Sequence, residues 1–233
     1  MRRARAWLVL GALASGLVAM TAEAHLGHVI LRAERYLKLD ATETDTRLVV
    51  SLTLGPSEGA RVLGAADANG DHDVSQAEGD AYLAQWGDGL RTDLPVEIDG
   101  APVEVSWVEG YMEPLGPVAP TALTVEITAH LPVTHRDHVI RFRDHMRREV
   151  FDRTDVAFRA HDGAELVTCG PGEEPPGTEN DFGFTNQGDA PDVLTAHVRY
   201  PSRNDVDPLR IALPIGGVAL VVGGLVIWRR RRK

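Results

Sequence analysis

The chain has 233 residues, of which 43% are hydrophobic and 25% are charged, and its formal net charge is −10 at neutral pH. This length and composition are sufficient for one domain with its own hydrophobic core. The acidic balance argues against nucleic acid as a partner, because carboxylates repel a phosphate backbone. The single cysteine, Cys169, excludes an internal disulfide, and we expect it to be buried, with a link to another chain as the alternative.

The first 24 residues have the composition of a secretory signal peptide. Three arginines precede an apolar stretch over residues 6–20, and small residues at Ala22 and Ala24 form a cleavage site. The mature protein is therefore predicted to begin at His25. A retained N-terminal anchor is the alternative.

Alternation of apolar and polar residues predicts two half-buried strands over residues 29–39 and 46–54. Gly55 and Pro56 interrupt this alternation, and a short helix weakened by glycine is predicted to follow and to end at Ala66.

The next twelve residues read D-A-N-G-D-H-D-V-S-Q-A-E and have the ligand order of an EF-hand calcium loop. Calcium requires six to eight oxygen ligands, which such a loop supplies from carboxylate, amide and backbone carbonyl groups. The predicted ligands are the side chains of Asp67, Asn69 and Asp71, the main-chain oxygen of Asp73, Ser75 directly or through water, and both carboxylate oxygens of Glu78.

Two further positions of this loop bear on the prediction. The sixth position, His72, is normally glycine because the turn there needs a positive φ, so we expect a cost of roughly 1 kcal/mol and a reduced affinity. The eighth position, Val74, is the aliphatic residue that ties such a loop to neighbouring backbone. The alternative is a solvated turn with a good helix N-cap.

Apolar residues at helical spacing, including Leu83 and Trp86, predict an exit helix from residue 76 to about residue 86. A helix-loop-helix over residues 56–91 is therefore predicted as an insertion in a β domain. The Asp99-Gly100 turn predicts a β-hairpin over residues 96–105.

Four more alternating segments predict strands over residues 121–131, 137–143, 155–160 and 193–200, whereas residues 170–191 are predicted to form a long loop or a partly disordered segment. The predicted fold class is mainly β: an antiparallel Ig-like sandwich with an inserted EF-hand helix-loop-helix.

The C-terminal part of the chain predicts a single transmembrane helix over residues 209–228. An uncharged apolar run can cross a hydrocarbon core of about 30 Å, and the five basic residues 229–233 behind it predict a cytoplasmic tail. Residues 25–208, with 33 acidic and 15 basic residues and a net charge of −18, are therefore predicted to lie in the periplasm or at the cell surface. A sorting tag that is removed after export is the alternative.

The predicted mature N-terminus offers a second candidate site. His25 would present both an α-amine and an imidazole, and together with His28 it could chelate Ni²⁺, Co²⁺ or Cu²⁺. Histidines that could complete such a site are His130, His135, His138, His145, His161 and His197. The alternative is that these are ordinary histidines, with His130 and His138 solvated near strand ends.

Several of these features together resemble the extracytoplasmic domain at the front of bacterial nickel/cobalt permeases related to the hydrogenase and urease accessory permeases. The features are the mature start A-H-L-G-H, the paired strands after it, the calcium loop and the I-R-F-R-D-H stretch around Asp144, within residues 24–169. The resemblance implies a capture or sensing module that works beside a metal permease, with His25 and His28 at the positions of the family's N-terminal motif. A single helix cannot enclose a transport pathway, so transport by this chain alone is excluded.

The leading functional prediction is a calcium-binding, membrane-anchored extracytoplasmic module that presents a surface to another membrane or envelope protein. The alternative is capture or sensing of nickel, cobalt or copper beside a permease. We do not expect an enzyme, because the sequence contains no G-x-S-x-G, no H-E-x-x-H and no phosphate-binding glycine loop.

Overall fold

The computed structural model describes residues 32–134, 136–146, 151–185 and 191–201. These residues are mainly β, with two helices, α1 (Pro56–Ala66) and α2 (Gln76–Asp93). The strands are β1 (Ala33–Ala41), β2 (Thr46–Leu54), β3 (Asp73–Val74), β4 (Val96–Ile98), β5 (Ala101–Val103), β6 (Trp107–Glu113), β7 (Gly116–Pro117), β8 (Leu123–His130), β9 (His138–Arg143), β10 (Arg153–Ala160), β11 (Glu165–Pro171), β12 (Asp181–Thr185) and β13 (Val193–Arg199).

The strands form two large sheets and one small one. The first sheet has the order β12-β10-β1-β2-β8-β6, the second has the order β11-β13-β9-β4-β5, and β3 pairs with β7. The pairings are antiparallel, except that β1 and β10 are parallel. The expectation of wholly antiparallel sheets is wrong at this pair, because a long connection can return a strand in either direction.

The two large sheets share one hydrophobic core, in keeping with a β sandwich. Leu37, Leu48 and Ile127 of the first sheet pack in the same cluster as Ile140 and Phe142 of the second. Each of these side chains is almost completely buried, which stabilises the fold by about 1.5–3 kcal/mol per residue.

The helix-loop-helix covers the remaining inner face of the first sheet. Leu123 lies four residues before Ile127 on β8 and therefore points to the same face. It packs not on the second sheet but with Leu63 of α1 and Leu83 of α2. The helix pair thus covers the inner face of the first sheet at one end of the domain, and the second sheet covers it at the other end.

Local predictions agree closely with the structure at several elements. Strand β2 and the end of α1 have the predicted bounds. The hairpin prediction is confirmed: Asp99 has φ 54° and Gly100 has φ 78°, as a type I′ turn between β4 and β5 requires.

Two predictions are corrected, and two of the longer strands were not predicted. The exit helix continues to Asp93 because Leu90 is still fully buried, so the insertion ends beyond residue 91. The predicted loop over residues 170–191 contains β12, whose half-buried Phe182 and Phe184 pack against the core. Among the longer strands, β6 and β11 were not predicted; the burial of β6 does not alternate, and β11 extends into the predicted loop.

A buried ion pair joins the start of the first sheet to the segment after β9. Arg35 donates to Asp144 through Nη1 to Oδ1 (2.8 Å) and through Nη2 to Oδ2 (2.5 Å), and neither side chain is exposed. Arg35 Nε also donates to Thr154 Oγ1 at 3.2 Å, and its guanidinium lies 4.8 Å from the centre of the Phe151 ring. Sequence reasoning did not predict this pair.

The predicted signal peptide, His25, His28 and the predicted span over residues 209–228 lie outside the described residues. In the described part of the chain, neither helix is long and apolar enough to cross a membrane.

Candidate metal centre

The candidate loop lies between two well-defined helix ends. Helix α1 ends where the Asp67 backbone N–H donates to Leu63 O at 2.9 Å. Helix α2 begins at a capping box: Ser75 N donates to Glu78 Oε2 at 3.0 Å, and Glu78 N donates to Ser75 Oγ at 3.4 Å. Ser75 and Glu78, both predicted ligands, therefore also start the exit helix.

The first three predicted ligands turn the loop through hydrogen bonds to its own backbone. Asp67 accepts from Gly70 N at 2.8 Å and from His72 N at 3.0 Å. Asn69 Oδ1 accepts from Asp71 N at 2.7 Å. Asp71 Oδ1 continues the series by accepting from the backbone N–H two residues later, at 2.9 Å. Such Asx turns coil the chain around its oxygen-bearing side chains.

Glu78 closes the loop by reaching back to its start. Its Oε1 accepts from Ala68 N at 3.1 Å and from Asn69 N at 3.2 Å. The backbone N–H and hydroxyl of Ser75, followed by these two N–H groups, hold the pKa of Glu78 below its usual value. The carboxylate is thus kept in the charged form that a cation would bind.

His72 adopts the left-handed conformation that the sixth position requires. Its φ is 66°, its side chain is 86% exposed, and its Nδ1 lies 3.8 Å from Asp67 Oδ2. The predicted strain at this position is therefore present.

The loop is attached to the rest of the domain through β3. Val74 is buried and pairs with Gly116 of β7, and Asp73 pairs with Pro117. Val118 N also donates to His72 O at 2.9 Å. The predicted attachment through Val74 is present, and the turn after β6 provides the partner backbone.

The donor chemistry of this loop fits calcium. Its candidate ligands are hard oxygen atoms, which suit Ca²⁺, whereas imidazole and thiolate suit nickel or copper. Among the described residues, no three His, Cys, Asp or Glu side chains converge into a ready-made metal cluster. In the loop, backbone N–H groups donate to the side-chain oxygens of Asp67, Asn69, Asp71 and Glu78. A cation that binds these oxygens would have to replace some of these hydrogen bonds.

The described histidines are dispersed and pair with carboxylates. His130 Nδ1 lies 2.8 Å from Asp45 Oδ1, and this contact raises the pKa of His130. His161 contacts Asp162 and Asp40 at 2.8 and 2.9 Å, and the two contacts, in that order, raise the pKa of His161. His135 lies outside the described residues, and His145 is exposed.

His138 corrects the expectation of a solvated histidine, since it is only 3% exposed. Thr134 N donates to its Nε2 at 3.2 Å, so Nε2 is an acceptor, and Nδ1 therefore carries the proton that bonds Asp99 Oδ2 at 2.9 Å. The hairpin turn and the Tyr200 ring, 5.9 Å away, cover this side chain. Its role is to fix the hairpin to β9.

The expectation of a buried cysteine is confirmed. Cys169 is 1% exposed, and burial, followed by the charge of Glu179, raises the pKa of its thiol to about 11. The thiol is therefore protonated and unreactive at neutral pH.

No protein-family model and no curated protein matches this chain. Several solved structures are distantly similar, and two of them are as follows. One is the NMR structure of the folded domain of Mycobacterium tuberculosis LppM, with a TM-score of 0.30 and 10% identity over 78% of this chain and 98% of that one. The other is native yeast LTA4 hydrolase, with a TM-score of 0.26 and 11% identity over 73% of this chain and 29% of that one. Both TM-scores are too low for either likeness to define a fold family or a function.

Acid is expected to loosen the calcium-free loop. The pKa of Glu78 is lowered in the folded state, so its contribution to stability is present above the unfolded pKa of about 4.3 and is lost as pH falls through the lower folded value. An NMR titration of Glu78 should give a pKa below that of an ordinary glutamate, and Ser75→Ala should raise it. A Glu78 that titrates at or above about 4.3 would contradict this account.

Proposed function

We propose that the protein is a calcium-binding interaction module held outside the cytoplasm by a membrane anchor. The observation that carries the proposal is the loop over residues 67–78, in which the side chains at the predicted ligand positions coil the backbone and Glu78 closes the ring. The positive φ of His72 adds support, because it is the backbone conformation that an EF-hand needs at this position.

The finer fold assignment is part of the same proposal. We assign the β domain to the Ig-like sandwiches and the helix-loop-helix to the EF-hands. Two sheets with a common core support the first assignment, and the position of α1 and α2 between β2 and β4 supports an insertion.

Calcium would act mainly as a structural ion. The loop connects α1, α2 and, through β3, the turn after β6. One bound ion would therefore stabilise the positions of all three relative to one another. Extracellular modules of this kind bind calcium with dissociation constants of about 10⁻⁴–10⁻³ M, which matches a plentiful ion. Capture of nickel, cobalt or copper stays the alternative prediction, and the oxygen donors of the loop favour calcium over it.

Thermal unfolding of the purified protein tests the proposal. At a calcium concentration of about 100 times the dissociation constant, binding should add about 2.7 kcal/mol. For a domain of this size that corresponds to a rise in melting temperature of roughly 5–10 °C. Glu78→Gln should abolish the rise because it removes the bidentate ligand.

Glu104→Gln is the matched control, since the Glu104 side chain is 82% exposed and lies outside the loop. This variant should keep the full calcium response. Identical melting curves for the unaltered protein with calcium and with chelator would refute calcium binding.

A further inference from the structure

Strand β6 has an open edge. It is the last strand of the first sheet and pairs with β8 on one side, while no strand among the described residues lies on its other side. Its outer face carries two exposed apolar side chains, Val108 (70% exposed) and Tyr111 (41% exposed). An open edge of this kind presents unpaired N–H and C=O groups that can bind an added strand.

A groove runs beside this edge because a glycine occupies an inward-facing position. Gly110 pairs with Ile127 and leaves a gap between β6 and α2, whose floor is formed by Ile127 and Leu83. A Cβ on Gly110 would lie 2.5 Å from Glu126 O, so no larger residue fits this backbone. The gap can receive an apolar side chain from an added strand.

The rim of the groove is acidic. Glu109 and Asp80 line the groove beside α2, and Glu113 lines a second depression at the end of β6. Burial, followed by the charges of Glu126 and Glu113, raises the pKa of Tyr111, as expected at a negative surface. One histidine faces this rim: His130 Nε2 lies 3.5 Å from Glu109 Oε1.

The charge of the rim selects among possible occupants. A second copy of this chain pairing through β6 would bring a second set of the same carboxylates to the junction, and like charges on adjacent strands are destabilising. A basic segment would neutralise them. The opposite edge of the same sheet, β12, does not supply such cations from a second copy, since Arg159 beside it pairs with Asp181 and Arg153 pairs with Asp155.

We propose that β6 is the docking edge for an extended segment of a partner protein in which basic and apolar residues alternate. The segment adds to the sheet as a strand, inserts an apolar side chain over Gly110 and places its basic side chains, which point to the other face, beside Glu109 and Glu113. This inference deepens the proposed function by naming the surface and the partner's chemistry. The candidate loop supports the edge, because β6 leads into β7, which pairs with β3.

The test uses the full-length protein in detergent and a fluorescent peptide, Lys-Val-Lys-Val-Lys-Val-Lys. The peptide should bind saturably and slow hydrogen exchange over residues 107–113. A peptide of equal charge, Lys-Val-Lys-Pro-Lys-Val-Lys, should bind at least tenfold more weakly because proline removes a strand hydrogen bond.

A matched pair of protein variants locates the binding site. The double variant Val108→Lys, Tyr111→Lys should weaken binding at least tenfold, because it adds cations to the docking edge. Tyr36→Lys should change binding less than twofold, since Tyr36 is exposed on β1, an interior strand of the same sheet. Unchanged melting temperatures would show that the variants fold.

Several results would overturn the inference: no binding, equal binding of both peptides, equal loss in Tyr36→Lys, or slowed exchange at another strand. Exchange over residues 107–113 that slows with rising protein concentration would identify a second copy as the occupant and would also overturn it. Peptide docking without a calcium-dependent melting shift would leave this inference standing and remove the calcium proposal. A calcium-dependent melting shift without peptide docking would leave the calcium proposal standing and remove this inference.

Discussion

Replacing Asp144 by alanine is expected to lower the free energy of unfolding by about 3–5 kcal/mol, because removal of one partner leaves a buried charge without its counter-ion. Arg35 is 1% exposed and donates two hydrogen bonds to Asp144. Its guanidinium would then retain Thr154 and the Phe151 ring, neither of which carries a compensating charge. Denaturant unfolding, with the midpoint and slope measured together, gives the change.

Two comparisons separate this effect from a general loss of contacts. The double variant Arg35→Met, Asp144→Leu should recover most of the loss, since an apolar pair of similar volume avoids the desolvation cost. Asp155→Ala, which breaks an exposed pair with Arg153, should cost no more than about 1 kcal/mol. A loss of that size in Asp144→Ala would show that the buried pair is not a major source of stability.

Two glycines of α1 are expected to respond to alanine with opposite signs. At Gly59 a Cβ would lie 2.1 Å from Thr121 O, a backbone atom, so Gly59→Ala must displace the helix and should cost about 1–3 kcal/mol. At Gly64 the nearest atom would be a Val118 methyl group at 3.6 Å, an ordinary contact. Gly64→Ala should therefore stabilise the protein by up to about 1 kcal/mol through helix propensity.

The pair of variants is its own control, since both make the same chemical change in one helix. Melting temperatures measured with chelator present keep calcium out of the comparison. Equal shifts of the same sign in both variants would show that α1 does not pack closely on the segment before β8.

Features of short sequence range were predictable. The helix-loop-helix follows from oxygen ligands at fixed offsets, and the hairpin follows from Asp99-Gly100, because both signals lie within a dozen residues. The capping box by which Glu78 also starts α2 was not predicted, although Ser75 and Glu78 have its spacing in the sequence.

Features that depend on distant parts of the chain were not predictable. Arg35 and Asp144 are 109 residues apart, and nothing near either of them indicates the pairing. The burial of His138 depends in the same way on Asp99, 39 residues earlier. Strand β12 was missed for a different reason: its surroundings are rich in glycine and proline, and only its two phenylalanines indicate that one face packs on the core.

The parallel pairing of β1 with β10 has a consequence for how the chain reaches its native state. Strand β1 is synthesised before the other described strands but lies in the interior of its sheet. The side of β1 that pairs with β10, including the hydrogen bond from Arg35 to Thr154, can form only after 119 more residues have been made. Contacts this far apart slow folding and prolong the exposure of partly built sheets. During synthesis, a nascent polypeptide that ends before residue 153 would carry β1 with one side unpaired, so its aggregation should be suppressed abruptly once β10 has emerged.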